Sequence, residues 1–94
     1  MDDLDQLTNE DLKTLFNECS ESIKDLEDVS DEDKLYLYKY YKQATIGNIN
    51  ITMPPFWDFK GKAKYNAWKS VEDTSSEVSM KKYIRNLSKQ FMLK

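Results

Sequence analysis

Tyr38, Tyr41 and Lys42 stand at i, i+3 and i+4, and Lys60 and Lys64 stand four apart. Each set shares one face if its segment is helical. A tyrosine offers a flat apolar ring and a hydroxyl, suited to stacking on a purine and bonding a phosphate or a ribose. A lysine offers a compact cation for phosphate oxygens. Aromatics and lysines interleaved in this way suit a ligand with a planar base and several phosphates. The same spacing also serves a packed aromatic stripe with solvated lysines beside it. Four tyrosines within six residues (Tyr36, Tyr38, Tyr40, Tyr41) point all round a helix, so some must be exposed or meet a ligand. The candidate run is therefore Tyr38-Lys39-Tyr40-Tyr41-Lys42, joined by Gly61-Lys62-Ala63-Lys64-Tyr65.

The elements that position these residues belong to one small domain of 94 residues, with an acidic first eight residues expected to fray. A third of the residues are charged, which fits a soluble chain, while the 39% hydrophobic content is too high for disorder. Residues 1–33 hold thirteen acids and two lysines, and residues 34–64 hold six lysines and one acid. The net charge of −3 argues against general nucleic-acid binding, which needs a basic domain. The positive middle can still receive one compact polyanion. Without histidine and with a single cysteine, the chain has neither a disulfide framework nor a ready zinc or redox-metal site, and no cofactor is expected. No apolar run reaches the length of a membrane span. The acidic start is unlike a targeting signal, so the expected location is cytoplasmic.

Apolar spacing places helices over 9–25, 31–45, 59–71 and 75–92, an all-α four-helix up-down bundle with one long connection between helices two and three. Thr8 before Asp11, Ser30 before Asp33 and Thr74 before Glu77 are expected start signals, the last as a capping box. Gly47 is expected to stop the second helix. Asn48, Asn50, Pro54 and Pro55 forbid a continuous helix through 46–58. The apolar content of Phe56, Trp57 and Phe59 predicts that this connector docks onto the bundle. Gly61 inside a helical pattern asks for a functional or packing reason. Cys19, on the apolar stripe of the first helix, reads as a small buried hydrophobe and has no histidine to activate it.

The runs Tyr41-Lys42-Gln43-Ala44-Thr45-Ile46-Gly47 and Lys60-Gly61-Lys62-Ala63-Lys64-Tyr65-Asn66-Ala67-Trp68 resemble, nearly residue for residue, YKQATVG and KGKAKWDAW. These are the signature helices of the acyl-CoA-binding protein family. The resemblance extends from about Phe16 to Phe91, with Met80-Lys81-Lys82-Tyr83-Ile84 similar to the tyrosine-bearing fourth helix. It implies a CoA site lined by Tyr38, Tyr41, Lys42, Lys60, Lys64 and Tyr83, with Lys24 at the position of a further ligand-contacting lysine. With the rest of the aromatic–lysine runs, the candidate ligand set is Lys24, Tyr38, Lys39, Tyr40, Tyr41, Lys42, Lys60, Lys64, Tyr65 and Tyr83. Three departures stand out: Tyr65 for a tryptophan, Asn48 for a frequent aspartate, and Pro55 for a common glycine.

The implied function is reversible binding of medium- to long-chain fatty acyl-CoA by a monomeric carrier that is not an enzyme. Enzymes that make or use acyl-CoA are the implied partners. An apolar groove for the acyl tail is expected, partly built from the Phe56–Phe59 connector. The alternative class is a helical interaction module whose Tyr/Lys face binds an acidic peptide or a membrane surface.

Overall fold

The computed structural model describes residues 4–92, the side chain of Asp25 aside. Four helices form among them: α1 (Asn9–Ser22), α2 (Asp31–Thr45), α3 (Phe59–Lys69) and α4 (Ser76–Met92). The α2–α4 pair is the centre, with α3 packed on α2 and α1 on α4. The described residues contain no strand.

Each start has a local cause. The hydroxyl oxygens of Thr8 and Ser30 accept from the Asp11 and Asp33 N–H groups, at 3.1 Å in both cases. Each bond satisfies one of the orphan donors of a first turn. Asp33 also accepts from Asn86 on α4 at 3.3 Å. Bonds from Asn86, then Gln90 and Ser30, hold its carboxyl below the ordinary value. The start of α4 differs from expectation. Ser75, not Thr74, is its cap: Ser75 Oγ accepts from the Val78 N–H at 3.1 Å. The Thr74 carbonyl instead accepts from Gln43, and the Glu77 carboxylate turns to Lys81 at 3.2 Å. The expected Thr74–Glu77 capping box is therefore not the start of α4.

Two helix ends fall two or three residues short of expectation. α1 stops at Ser22 and tightens into a 3₁₀ turn, Ile23–Asp25. Ser20 and Ser22 donate back to the Asn17 and Glu18 carbonyls there, a competition that favours leaving the α-helix. α3 ends at Lys69, short of 71, because Val71 and Glu72 close on carbonyls three residues back. Val71 is still buried. The segment before α1 has local structure from residue 4 on. Leu4–Gln6 form a 3₁₀ turn, Leu4 and Leu7 pack on the core, and Asp5 pairs with Lys81 at 2.9 Å. Residues 1–3 of the expected frayed segment lie outside the described residues.

Leu12, Phe16, Leu37, Trp68, Tyr83, Ile84 and Leu87 are the heart of the core. Burying one such side chain contributes about 1.5–3 kcal/mol. Cys19 is only partly buried, against the core's edge, and burial pushes its thiol up. Phe91, near the end of α4, is 42% exposed.

A polar clasp joins the end of α2 to the segment before α4. Gln43 Nε2 donates to Asn48 Oδ1 at 2.8 Å and to the Thr74 carbonyl at 3.0 Å. Asn48 Oδ1 also accepts from the Asp73 N–H at 2.7 Å, and Asn48 Nδ2 donates to the Asp73 carboxylate at 3.0 Å. Gly47, at φ +99°, turns the chain so that its carbonyl accepts from Trp68 Nε1 at 2.9 Å. Few other residues adopt that φ without strain. The clasp fixes where α3 lies against α2.

Candidate functional site

A cleft of about 420 Å³ opens between α1 and α2, lined by Ser20, Glu21, Ile23, Lys34, Leu37, Tyr38, Tyr41 and Tyr83. A second cleft of about 430 Å³ shares Ile23, Lys34 and Leu37 with it and adds Leu26, Asp28 and Val29. The two make one trough with apolar stretches along its wall.

Aromatic packing builds the floor. Phe16 stacks on Tyr41 with centroids 5.7 Å apart and meets the Tyr83 ring edge-on at 5.0 Å. Tyr41 and Tyr83 lie 6.0 Å apart. Tyr83 is almost fully buried, and burial first, then the neighbouring Cys19 and Tyr41, pushes its phenol up to about 12. It therefore remains a neutral hydroxyl across the physiological range.

Lysines flank the Tyr38 ring. Lys42 Nζ stands 5.8 Å from its ring centroid and Lys64 Nζ 5.5 Å. Lys42 also stands 5.7 Å from the Trp68 ring. A cation from each of two helices thus lies over one aromatic ring, within cation–π range. Lys64 reaches this point because α3 is pinned by the clasp, and because α3 starts correctly. Asp58 Oδ1 caps it by accepting from the Gly61 N–H at 3.0 Å. A Cβ at residue 61 would collide with that carboxylate. Gly61 thus has a packing reason rather than a chemical one.

The expected residues divide into three groups. Tyr38, Tyr41 and Tyr83 line the cleft, and Lys42 and Lys64 join them through the Tyr38 ring. Lys39 and Tyr40 do not: Lys39 Nζ lies 5.1 Å from the Tyr36 ring and 5.4 Å from Tyr40, and Lys82 lies over Tyr40 at 5.8 Å. At about 100° per residue, Tyr40 falls some 160° round α2 from Tyr38. Lys24, Lys60 and Tyr65 occupy adjacent elements. Lys24 is exposed on the turn after α1, where its neighbour Ile23 lines the cleft. Lys60 is exposed one turn before Lys64, and Tyr65 is half-buried.

Sequence reasoning missed Phe16, Leu37 and Lys34 as site residues. Lys34 was findable, since it stands four residues before Tyr38 on the same face. The Phe56–Phe59 segment is the clearest reversal. Phe56, Trp57 and Phe59 are 74%, 67% and 78% exposed, so the segment does not dock on the bundle or wall the trough. Pro54 and Pro55 stiffen the approach, and the Asp58 N–H closes a turn on the Pro55 carbonyl at 3.0 Å. That turn holds the rings outward.

An all-helical frame with lysines converging on a tyrosine above an apolar trough defines a small helical ligand-binding domain. The model of the family described as Acyl CoA binding protein matches residues 13–87, and the chain belongs to this family. Acyl-CoA-binding domain-containing protein 3 of Oryza sativa subsp. japonica is 47% identical over 73% of this chain and 45% of its own length. Acyl-CoA-binding domain-containing protein 6 of Bos taurus is 43% identical over 83% of this chain and 28% of its own. The chain thus spans less than half the length of these relatives. Among solved structures, Oryza sativa Acyl-CoA-Binding Protein 2 superposes with a TM-score of 0.83 at 40% identity, covering 87% of this chain and 92% of that one. ACBP from Moniliophthora perniciosa gives 0.81 at 43% identity, covering 86% and 81%.

Proposed function

We propose that this domain binds medium- to long-chain fatty acyl-CoA esters reversibly and without catalysis, as a cytoplasmic, monomeric carrier that maintains a soluble pool. The observation that carries the reading is the convergence of Lys42 and Lys64 on the Tyr38 ring beside the trough. The lysines suit the phosphates of CoA, the tyrosine faces suit its purine, and the trough suits an acyl tail. Lys60, Tyr65 and Lys24 extend this set along the flanking elements. Cys19, whose thiol burial keeps protonated, is a poor nucleophile for thioester cleavage.

Each buried CH₂ contributes up to about 0.8 kcal/mol, so a sixteen-carbon tail sets an upper bound of roughly 12 kcal/mol. Ordering the tail reduces this substantially. Tail burial and phosphate pairing contribute separately, so the intact ester should exceed either half. Calorimetric titration should show palmitoyl-CoA binding at least about a hundredfold more tightly than free CoA or free palmitate, a gap of roughly 2.7 kcal/mol. Comparable affinity for free palmitate would replace this reading with generic lipid binding. Incubation with palmitoyl-CoA should release no free CoA.

A further inference from the structure

We propose that the connector tip bearing Phe56 and Trp57 docks the domain onto an anionic lipid bilayer; the inference rests on the acyl-CoA reading only for its purpose. Ile51, Met53, Phe56, Trp57 and Phe59 are 49–78% exposed within nine residues. The Phe56 and Trp57 rings contact each other edge-on, with centroids 5.2 Å apart. Side chains two-thirds or more exposed stand proud of the surface. That shape enters a soft interface more readily than it fills a rigid pocket. Tryptophan and phenylalanine are also the side chains that settle at the headgroup level of a bilayer.

Two further features favour a membrane. The tip is braced: Pro54 and Pro55 precede it, the Asp58 N–H bonds back to Pro55, and the Asp58 side chain caps α3. Little ordering is left to lose on insertion. The charge is also complementary. Lys60, Lys62 and Lys64 follow directly on α3, and the one acid among residues 34–64 is Asp58, already engaged as that cap. The acidic α1 packs on α4, whereas α3 packs on α2. A chain with net charge −3 is repelled overall by anionic lipid, so approach through this lysine-flanked tip is favoured over approach through the acidic α1. From Phe59 to Lys64 the rise along α3 is only about 7.5 Å. Docking therefore brings the lysine–tyrosine site close to the headgroup layer, where an acyl-CoA leaving or entering a membrane would present its phosphates.

The test is flotation of the ligand-free full chain with vesicles of phosphatidylcholine alone and of phosphatidylcholine mixed with phosphatidylserine. Partition should favour the phosphatidylserine vesicles and weaken with salt. Trp57 emission should shift to the blue and be quenched by brominated lipid; Trp57→Phe, which leaves only the buried Trp68, should show neither response. The double variant Phe56→Ser/Trp57→Ser should reduce partition by roughly tenfold or more, and Lys62→Glu should reduce it as well. Circular dichroism and the palmitoyl-CoA titration check that the variants fold and bind.

Absence of partition, equal partition into both vesicles, or a double variant that partitions like the parent overturns the proposal. So does concentration-dependent dimerisation through Phe56 and Trp57 without vesicle binding, which would make a second copy the occupant. A Trp57 shift with palmitoyl-CoA alone and no partition would assign the tip to the acyl tail instead. Tight palmitoyl-CoA binding without partition sinks this inference and leaves the function standing; partition without palmitoyl-CoA binding does the reverse.

Discussion

Removing Lys42 or Lys64 tests the electrostatic centre of the proposed function, and the two should not be equivalent. Both face the Tyr38 ring, at 5.8 and 5.5 Å. Lys42 is half-buried and also lies over Trp68, whereas Lys64 is exposed. Charge-assisted bonds contribute about 1.5–3 kcal/mol each, more where water is excluded. Lys42→Ala should therefore sit near the upper end, a loss of roughly a hundredfold in palmitoyl-CoA affinity, and Lys64→Ala near tenfold. Salt separates them further. The Debye length falls from about 10 Å at 0.1 M to about 3 Å at 1 M, so the Lys64 contribution should fade with added salt faster than that of Lys42. Calorimetry against palmitoyl-CoA and palmitoyl-dephospho-CoA supplies the control. If the lysines meet the 3′-phosphate, the parent should bind the second ligand more weakly and both substitutions should cost much less on it. Equal losses on both ligands would place the lysines elsewhere, on the pyrophosphate or on the fold. No loss on either would return them to solvated helix residues and refute the reasoning.

Three other substitutions or titrations follow from the geometry. Asn48→Asp sets a second carboxylate beside that of Asp73 and removes the 3.0 Å donor, so urea unfolding at neutral pH should show a loss of about 1–3 kcal/mol. Because crowding raises the folded-state carboxyl pKa, the loss should vanish as pH falls below the unfolded carboxylate value; a pH-independent loss would contradict the clasp. Asp58→Ala should remove the cap and destabilise α3 by about 1 kcal/mol, seen as a lower Tm, and an unchanged Tm would mean that the cap contributes nothing. Tyr83, raised by burial from 10.0 to about 12, favours folding fully below pH 10, and this stability is lost as pH rises through about 12. Absorbance at alkaline pH should show one phenol titrating last and together with unfolding; six phenols titrating alike near 10 would rule out its burial.

Local chemistry was legible in the sequence and long-range placement was not. The Thr8 and Ser30 caps and the span of α2 follow from residues within one turn of each other, and spacing alone reads such contacts well. Ser75 caps α4 where Thr74 was expected, and the Thr74 carbonyl is held by Gln43, thirty-one residues earlier. No spacing rule reveals such a contact. Lys39 and Tyr40 entered the candidate set by adjacency, although helical geometry already turned Tyr40 away from Tyr38. The meeting of Lys64 with Tyr38 depends on how α3 lies on α2, which the clasp decides. The Phe56–Trp57 expectation failed for another reason: apolar content was equated with burial, while two prolines and a cap hold those rings in solvent.

The departures from the family pattern gain meaning from the same contacts. Asn48 both donates and accepts within the clasp, and an aspartate could only accept. The amide therefore suits a partner that is itself a carboxylate, Asp73. The clasp sets the position of α3, and α3 carries Lys64 to Tyr38, so under the proposed function the ligand-free stability of the connector and the affinity for the ligand's phosphates would be linked. A ligand that bridges Lys42 and Lys64 would in turn hold α2 and α3 together, raising stability by mass action. Binding and folding then draw on one set of contacts at this end of the molecule. The aromatic floor of Phe16, Tyr41 and Tyr83, drawn from α1, α2 and α4, contains no residue of the clasp. Loosening the clasp should therefore cost phosphate affinity before it costs the trough.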